Sequence, residues 1–306
     1  MTSPAVALDR VRKSFGEALA VADLSLAVPY GAIYGVLGPN GAGKTTTLRI
    51  IAGILRPDSG ALSVLGETDP AAIKRRLGYL PEEKGLYRKM RVADLVRYFG
   101  ELKGLDARAA RASTSRLLEA FGLADRARDR CETLSKGMGQ KVQIAAALVH
   151  SPELLVLDEP LSGLDPVNVE LVRDVILAQK RAGKTVLIST HVMEQAEQIC
   201  DELTLVNRGR ALLEGPLERL RASASRTIVI DYEGDGACLQ SLPGVERVND
   251  AGRRAELSLA PDADPDAILR ALIGRLRISR FDTRAASLHE IFVRSVRADS
   301  APNNAN

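Results

Sequence analysis

The stretch Gly38-Pro39-Asn40-Gly41-Ala42-Gly43-Lys44-Thr45 decides the fold of this 306-residue chain. It matches the pattern Gly-x-x-x-x-Gly-Lys-Ser/Thr, whose glycines let backbone N–H groups approach phosphate oxygens without obstruction by a Cβ atom. The apolar run 33–37 comes directly before it, and residues 46–51 after it have helical spacing. This order of strand, loop and helix is the context of a phosphate-binding loop, so the stretch predicts a site for ATP with Mg²⁺.

Each part of this loop has a predicted role in holding the nucleotide. Lys44 would place a positive charge against the β- and γ-phosphates, and the Thr45 hydroxyl would bind Mg²⁺. The helix that begins at the loop adds the positive end of its dipole. The candidate nucleotide-binding residues are Gly38, Pro39, Asn40, Gly41, Ala42, Gly43, Lys44, Thr45 and Thr46. A glycine-rich turn with a chance lysine is disfavoured by the strand and helix on either side.

An acidic pair, Asp158 and Glu159, ends the fully apolar run 154–157. Such a run is typical of a buried parallel strand, and its carboxyl end is where a carboxylate can hold Mg²⁺ beside the phosphate loop. Asp158 is therefore predicted to bind the metal, and Glu159 to accept a proton from the attacking water. An acidic pair after a strand is by itself common, and only its combination with the loop favours the catalytic interpretation.

Strands that alternate with helical segments predict an α/β protein. Residues 1–220 are expected to form the main domain, with a helical part at about 83–150. A break follows, and a strand pattern restarts at 227–230, so residues 225–296 are expected to form a small α+β domain. Residues 297–306 are polar and are expected to be a disordered tail.

The composition excludes several classes of function. The net charge of +3 gives no support for nucleic-acid binding, and no nucleic-acid partner is expected. The three cysteines lie far apart, which argues against a metal site or a disulfide framework and favours a reducing compartment. No apolar run approaches the roughly 18 residues that a membrane span needs. If the protein works at a membrane, a separate subunit would have to hold it there.

The order of the motifs resembles the ATP-binding cassette of ABC transporters over residues 5–220. The motifs are the phosphate loop, Leu134-Ser135-Lys136-Gly137-Met138, Leu154 to Pro160, Ser162-Gly163-Leu164-Asp165 and Ser189-Thr190-His191. The resemblance implies a P-loop NTPase core of ABC type with an antiparallel β subdomain and a helical subdomain, and the small α+β domain would follow it. It also implies that two cassettes form a head-to-tail dimer, in which each ATP is bound between them.

Ser135 to Met138 matches the family's signature motif, usually Leu-Ser-Gly-Gly-Gln. The resemblance implies that Ser135, Lys136, Gly137 and Met138 open a helix whose N-terminus faces the γ-phosphate of ATP on the opposite subunit. Lys136 and Met138 depart from the usual glycine and glutamine. Because Ser135 and Gly137 are kept, the backbone contacts to phosphate are expected to survive.

Three further residues take roles from the resemblance alone. His191 matches the histidine that contacts the γ-phosphate and organises Glu159 and water. Phe15 stands where the family has an aromatic residue that stacks on adenine, although an isolated phenylalanine is more often part of a core. Asp165 matches a loop that communicates across the dimer.

Glu82 departs from the family pattern, which usually has glutamine after the strand that here reads Leu77 to Pro81. A carboxylate can still bind Mg²⁺, since hard cations take oxygen ligands, but it adds negative charge near the triphosphate. The hypothesis is that Glu82 is a working substitute and a metal ligand beside Thr45 and Asp158. The alternative is that its side chain points to solvent and a water takes its place.

The segment 81–87, the variant signature and the C-terminal extension are similar to those of bacterial ABC-2-type exporter ATPases, the group of sodium-efflux and drug-efflux ATPases. This resemblance implies an ATPase that drives a separate integral-membrane permease from the cytoplasmic face of the bacterial inner membrane. Its dimer partner could be a second copy or a paralogue. Two alternatives stay open: a single-cassette ATPase acting on ribosomes or DNA, and an ATP-binding regulator that does not hydrolyse.

Overall fold

The computed structural model describes residues 3–83, 85–223, 226–260 and 262–300. The chain divides between Glu214 and Gly215 into two compact units, which we call the N-terminal unit and the C-terminal unit. Each unit has its own apolar core. None of the helices within the described residues is long and apolar enough to cross a membrane.

The N-terminal unit contains nine strands and seven α-helices among its described residues. The strands are β1 (Val6–Phe15), β2 (Ala18–Val28), β3 (Ile33–Leu37), β4 (Ser59–Val64), β5 (Leu77–Leu80), β6 (Leu154–Asp158), β7 (Thr185–Thr190), β8 (Glu202–Asn207) and β9 (Arg210–Pro216). The helices are α1 (Lys44–Ile51), α2 (Pro70–Arg76), α3 (Val92–Leu102), α4 (Ala107–Ala120), α5 (Lys136–Leu148), α6 (Pro166–Arg181) and α7 (Met193–Ile199).

The alternating apolar residues near the N-terminus form an antiparallel sheet. Strand β1 lies between β2 and β4, and both pairings are antiparallel. Most of the large apolar residues of β1 and β2 pack on one side and leave the polar residues between them exposed, as period-2 alternation predicts. This sheet is the antiparallel β subdomain that the family resemblance implies.

The second sheet has the strand order β5-β6-β7-β3-β8-β9, and the pairs from β5 to β8 are parallel. Every residue of β3, β6 and β7 is buried, which explains why these segments are continuous apolar runs rather than alternating ones. Because their carboxyl ends meet at one edge, the phosphate loop after β3 lies beside the ends of β6 and β7.

Helices α3, α4 and α5 pack together as the predicted helical part. Only part of the apolar face of α3 is buried. Leu95 is fully buried, whereas Tyr98 is 41% and Leu102 64% exposed. The aromatic rings of Tyr87, Tyr98 and Phe99 cluster at this exposed face, with centroids 5.8–6.4 Å apart.

The C-terminal unit has the predicted α+β fold. Its elements are α8 (Leu217–Ser223), β10 (Thr227–Glu233), β11 (Val245–Asp250), β12 (Arg254–Leu259), α9 (Pro265–Leu272), β13 (Arg277–Arg284) and α10 (Leu288–Ser300). The strands form an antiparallel sheet in the order β11-β12-β10-β13. One face of this sheet carries apolar side chains, including Ile228, Ile230 and Leu257, and shares its core with Ile268 and Leu272 of α9.

Helices α9 and α10 both begin at side-chain caps. Asp264 caps α9, because its side chain accepts a hydrogen bond from Asp266 N at 3.0 Å, and proline holds the first helical position. Ser287 and Glu290 form a capping box before α10: Glu290 N donates to Ser287 Oγ at 3.2 Å, and Ser287 N donates to Glu290 Oε2 at 2.8 Å.

The two predicted segment boundaries in the second half of the chain differ from the structure. Residue 220 falls inside α8, because Leu217 and Leu220 are both buried and lie on one side of a helical turn. Helix α10 extends to Ser300, so residues 297–300 are helical rather than part of a disordered tail. The sequence before Pro302 contains no helix-breaking residue in this stretch, which explains the extension. Residues 224, 225 and 301–306 lie outside the described residues.

Candidate nucleotide-binding site

The phosphate loop connects β3 to α1, and two of its glycines are required by geometry. Gly43 has φ 101°, and a Cβ atom there would lie 2.3 Å from Ala20 O. At Gly38 a Cβ atom would lie 2.1 Å from Val206 O. Neither backbone oxygen can move away, so a larger residue at either position would deform the loop.

Lys44 lies at the start of α1 with its side chain buried inside the loop. Its Nζ donates hydrogen bonds to Gly38 O at 2.8 Å and to Pro39 O at 3.1 Å. The same atom lies 3.6 Å from Glu159 Oε1, and both side chains are only 6% exposed. This ion pair links the phosphate loop to the acidic pair that ends β6.

Asp158 is fully buried at the end of β6, and one of its oxygens lacks a partner. Ser189 Oγ donates to Asp158 Oδ1 at 2.5 Å. No described residue forms a hydrogen bond with Asp158 Oδ2. Burial raises the pKa of this carboxyl above its ordinary value, and the negative charges of Glu82 and Glu159 add to the effect. A cation bound beside Asp158 would have the opposite effect, because it would stabilise the charged carboxylate and lower its pKa.

Glu159 is held in an unusual backbone conformation beside His191. Its φ is 50°, a left-handed value that costs energy for a residue with a long side chain. Its N–H points to the end of β7, where Ser189 O lies at 3.2 Å and Ser189 Oγ at 3.0 Å. His191 Nδ1 lies 2.9 Å from Glu159 Oε1, so the carboxylate is oriented by a histidine on one side and Lys44 on the other.

Ser189 is a site residue for which no role was predicted from its type. It bonds both members of the acidic pair because the parallel register sets it directly opposite Asp158. A hydroxyl at the carboxyl end of a buried strand is a weak signal on its own. The sequence does not show that β7 pairs with β6, and this pairing is known only from the folded sheet.

Glu82 reaches the phosphate loop across the end of β5. Thr45 Oγ1 donates to Glu82 Oε2 at 3.4 Å, and Glu82 lines the same cavity as Thr45 and Glu159. The side chain is therefore part of the site and is also open to solvent.

The oxygen atoms at this edge suit Mg²⁺ held jointly with phosphates. Asp158 Oδ2, Thr45 Oγ1 and Glu82 Oε2 are hard oxygen donors of the kind that Mg²⁺ prefers. Among the described residues, no group of three or more His, Cys, Asp or Glu side chains could hold a metal without further ligands. The buried, unpartnered Asp158 Oδ2 nevertheless fits a cation whose remaining ligands are phosphate oxygens and water.

A cavity of about 330 Å³ joins the phosphate loop to Phe15. The Phe15 ring is 51% exposed rather than part of the core, and Lys13 Nζ lies 5.7 Å from its centroid. The strand end that carries Phe15 is fixed by Asp58, which accepts from Lys13 Nζ at 2.6 Å and from Ser14 N at 2.7 Å. An exposed ring at the mouth of the cavity is available for stacking on a nucleobase.

The signature segment and Asp165 begin two helices and do not line this cavity. Ser135 caps α5, where its Oγ accepts from Met138 N at 3.3 Å. Asp165 caps α6 and accepts from Asn168 N at 3.0 Å and Asn168 Nδ2 at 2.6 Å, and these bonds lower the pKa of its carboxyl. Gly137 adjoins the same asparagine. The residues predicted for one ATP site therefore fall into two separate groups on this chain.

Comparison with known proteins identifies two family regions. Residues 21–162 match the family described as ABC transporter, and residues 215–296 match the C-terminal domain of DrrA1-3-like ATP-binding proteins. The chain is 39% identical to the ABC transporter ATP-binding protein YhaQ of Bacillus subtilis (strain 168), over 95% of this chain and 98% of YhaQ.

Two further comparisons extend this similarity to function and fold. The chain is 37% identical to the Nod factor export ATP-binding protein I of Burkholderia lata, over 93% of this chain and 94% of that protein. A solved structure of an ATP-binding subunit of an ABC transporter superposes with a TM-score of 0.67 at 30% identity, and covers 71% of this chain and 92% of its own.

Proposed function

Because this chain belongs to the ABC transporter family as an exporter-type ATP-binding subunit, we propose that it hydrolyses ATP with Mg²⁺ in a head-to-tail cassette dimer and drives a separate permease. The nucleotide would be held by residues 38–46 and Phe15, with Mg²⁺ at Thr45, Asp158 and Glu82. The chain would work as a peripheral subunit at the cytoplasmic face of the bacterial inner membrane.

The observation that carries this proposal is the convergence of Lys44 and His191 on one oxygen of Glu159. Lys44 Nζ and His191 Nδ1 lie 3.6 Å and 2.9 Å from Glu159 Oε1. A carboxylate held between two such groups has a fixed direction, which a general base needs before it can take a proton from water.

The chain's own residues would divide the work of hydrolysis. Glu159 would accept the proton of the attacking water, while His191 keeps its carboxylate oriented and would contact the γ-phosphate. Lys44 is positioned to exchange its bonds to Gly38 O and Pro39 O for phosphate oxygens. Asp158, steadied by Ser189, is the residue best placed to hold the metal. Mg²⁺ held there would supply positive charge that neutralises part of the charge on the phosphates.

The separation of the signature from the phosphate loop supports the dimer. Ser135 caps α5, and Lys136 to Met138 belong to its first turn, where the positive end of the helix dipole favours an anion. Since this turn does not line the cavity of its own chain, its anion would be the γ-phosphate bound to a second cassette. Asp165, on the adjoining helix, would lie at the same dimer surface.

The helical part offers a surface for the permease next to Glu82. Tyr87 is 54% exposed and packs on Tyr98 and Phe99, and exposed aromatic rings of this kind are enriched at protein interfaces. A mainly apolar cavity of about 320 Å³, lined by Leu86, Leu95 and Phe99 among others, adjoins them. We assign this surface to contact with a cytoplasmic segment of the permease.

Purification from membranes tests two parts of the proposal, the association with a permease and the hydrolysis of ATP. The tagged chain is expected to retain an integral-membrane protein after detergent extraction, and the preparation is expected to release phosphate from ATP only with Mg²⁺. The Lys44→Ala variant should retain the membrane protein but lose phosphate release. Recovery of ribosomes or DNA in place of a membrane protein, or absence of phosphate release, would contradict the transporter-motor function.

Glu82→Gln is expected to raise the Mg²⁺ concentration needed for half-maximal hydrolysis several-fold. The substitution keeps an oxygen near Thr45 but removes one negative charge from the metal site, which weakens attraction for a divalent cation. Magnesium titrations of steady-state phosphate release measure the shift, with Glu83→Gln as the matched control because Glu83 does not line the cavity. An unchanged titration and turnover would show that Glu82 has no special role.

A further inference from the structure

The C-terminal unit contains a polar cavity of about 330 Å³ between its sheet and α10, away from the sheet face that forms the core. The strand register sets Thr227, Ser258 and Arg247 side by side across β10, β12 and β11. Asn249 and Glu256 form the next row on the same face. The floor of the cavity is therefore built from two neighbouring rows of hydrogen-bonding side chains.

Helix α10 supplies the opposite wall. His289, Val293 and Arg297 follow one another at intervals of four residues and so lie on one side of the helix. Glu290 and Arg294 line the cavity beside them. Arginines thus reach the cavity from both the sheet and the helix.

The arginines are better placed for an external anion than for the acidic residues of their own unit. Neither Arg247 nor Arg297 forms an ion pair with a carboxylate whose side chain the structure describes. The ion pairs seen in this unit use other arginines, namely Arg254, Arg277, Arg280 and Arg284. The sequence contains no lysine after Lys184, so its cationic side chains here are all planar guanidinium groups, which bind oxyanions through two parallel hydrogen bonds.

Two carboxylates line the same cavity, those of Glu290 and Glu256. The Glu290 carboxylate is turned to the first turn of α10, where Oε2 accepts from Ser287 N at 2.8 Å and Ser287 Oγ at 3.1 Å. Glu256 stands in the sheet row next to Arg247 and is the main acidic group opposing an anion. The lining of the cavity carries three guanidinium groups and two carboxylates.

We propose that this cavity binds a small phosphate-bearing anion. The guanidiniums of Arg247 and Arg297, with the Thr227 and Ser258 hydroxyls and the Asn249 amide, provide more donors than the two oxygens of a carboxylate can accept. A phosphate group, with its three terminal oxygens, can use them. The volume lies within the range of small-molecule sites. A soluble phosphate compound and a phospholipid headgroup share this chemistry.

The test uses the full chain with Mg²⁺ and a non-hydrolysable ATP analogue bound at the phosphate loop. Added anions can then bind only at other sites. Pyrophosphate is titrated by calorimetry. Binding is expected in the wild type, and Arg247→Gln is expected to weaken it about tenfold, the usual effect of losing one charge-assisted hydrogen bond. Arg253→Gln is the matched control, because Arg253 is exposed in the β11–β12 turn and does not line the cavity.

Chemical protection of the arginines is a second measurement, made on the wild-type chain. Modification of arginines by phenylglyoxal, read by mass spectrometry, should slow at Arg247 and Arg297 when pyrophosphate is present and stay unchanged at Arg253. Parallel flotation with phosphatidylglycerol vesicles, against phosphatidylcholine vesicles, distinguishes the sources: binding that Arg247→Gln abolishes would identify a lipid headgroup as the ligand. The proposal fails if neither probe binds once the ATP site is filled, or if both variants weaken binding equally.

Discussion

Replacement of Glu159 by glutamine is expected to lower steady-state ATP hydrolysis by about 10²- to 10⁴-fold and to leave ATP binding intact. Glutamine has the same shape and keeps an oxygen near Lys44 and His191, but it cannot take a proton from water. Because the contacts to bound phosphate do not pass through Glu159, the variant should still close around ATP. Phosphate release and equilibrium binding of labelled ATP measure the two effects separately.

The same variant should accumulate as an ATP-bound dimer. Triphosphate contacts favour the closed state, and a chain that cannot hydrolyse cannot leave it. Size-exclusion chromatography with and without Mg²⁺ and ATP reports the change. Lys44→Ala combined with Glu159→Gln is the control, because loss of the phosphate-binding lysine should remove the dimer. Normal turnover by the single Glu159→Gln variant would rule out Glu159 as the base.

Mixing two inactive variants is expected to restore hydrolysis if each site is shared between two chains. Lys44→Ala disables the loop, and Gly137→Glu places a negative charge in the signature, where the γ-phosphate would bind. A Cβ atom at Gly137 meets Asn168 Nδ2 and Leu164 Cδ2 at 3.5 Å, which is ordinary contact, so the fold should tolerate the change. A mixed dimer keeps one intact loop facing one intact signature.

Random pairing of equal amounts would restore about a quarter of the wild-type activity, since half of the dimers are mixed and each of these has one intact site. Each variant alone should remain near background, and a mixture of Lys44→Ala with Lys44→Met should stay there too. A mixture of the loop and signature variants that is no more active than its parts would refute the shared site for a homodimer.

The fold was predictable where a single segment carries its own pattern. The apolar runs of β3, β6 and β7, the alternation of β1 and β2, and the caps of α9 and α10 follow from local sequence. The phosphate loop belongs to the same class, since strand, glycines, lysine and helix are contiguous.

The rest depends on which segments become neighbours. Ser189 bonds Asp158 because β7 pairs with β6, and Asp58 fixes the end of β1 across a large sequence separation. Helical spacing alone also overstates burial, because Tyr98 and Leu102 recur at helical intervals with Leu95 but stay 41% and 64% exposed. The arginine-lined cavity of the C-terminal unit has no contiguous motif, because it is assembled from three strands and a helix.

The left-handed backbone of Glu159 has a consequence for how this position can change over evolutionary time. Most side chains resist a φ of 50°, so nearly every substitution there retains the folding cost and forfeits the chemistry that justified it. Glycine would relieve the strain but supply no base. A chain that loses its need for turnover would therefore gain stability at this position only by a change to glycine.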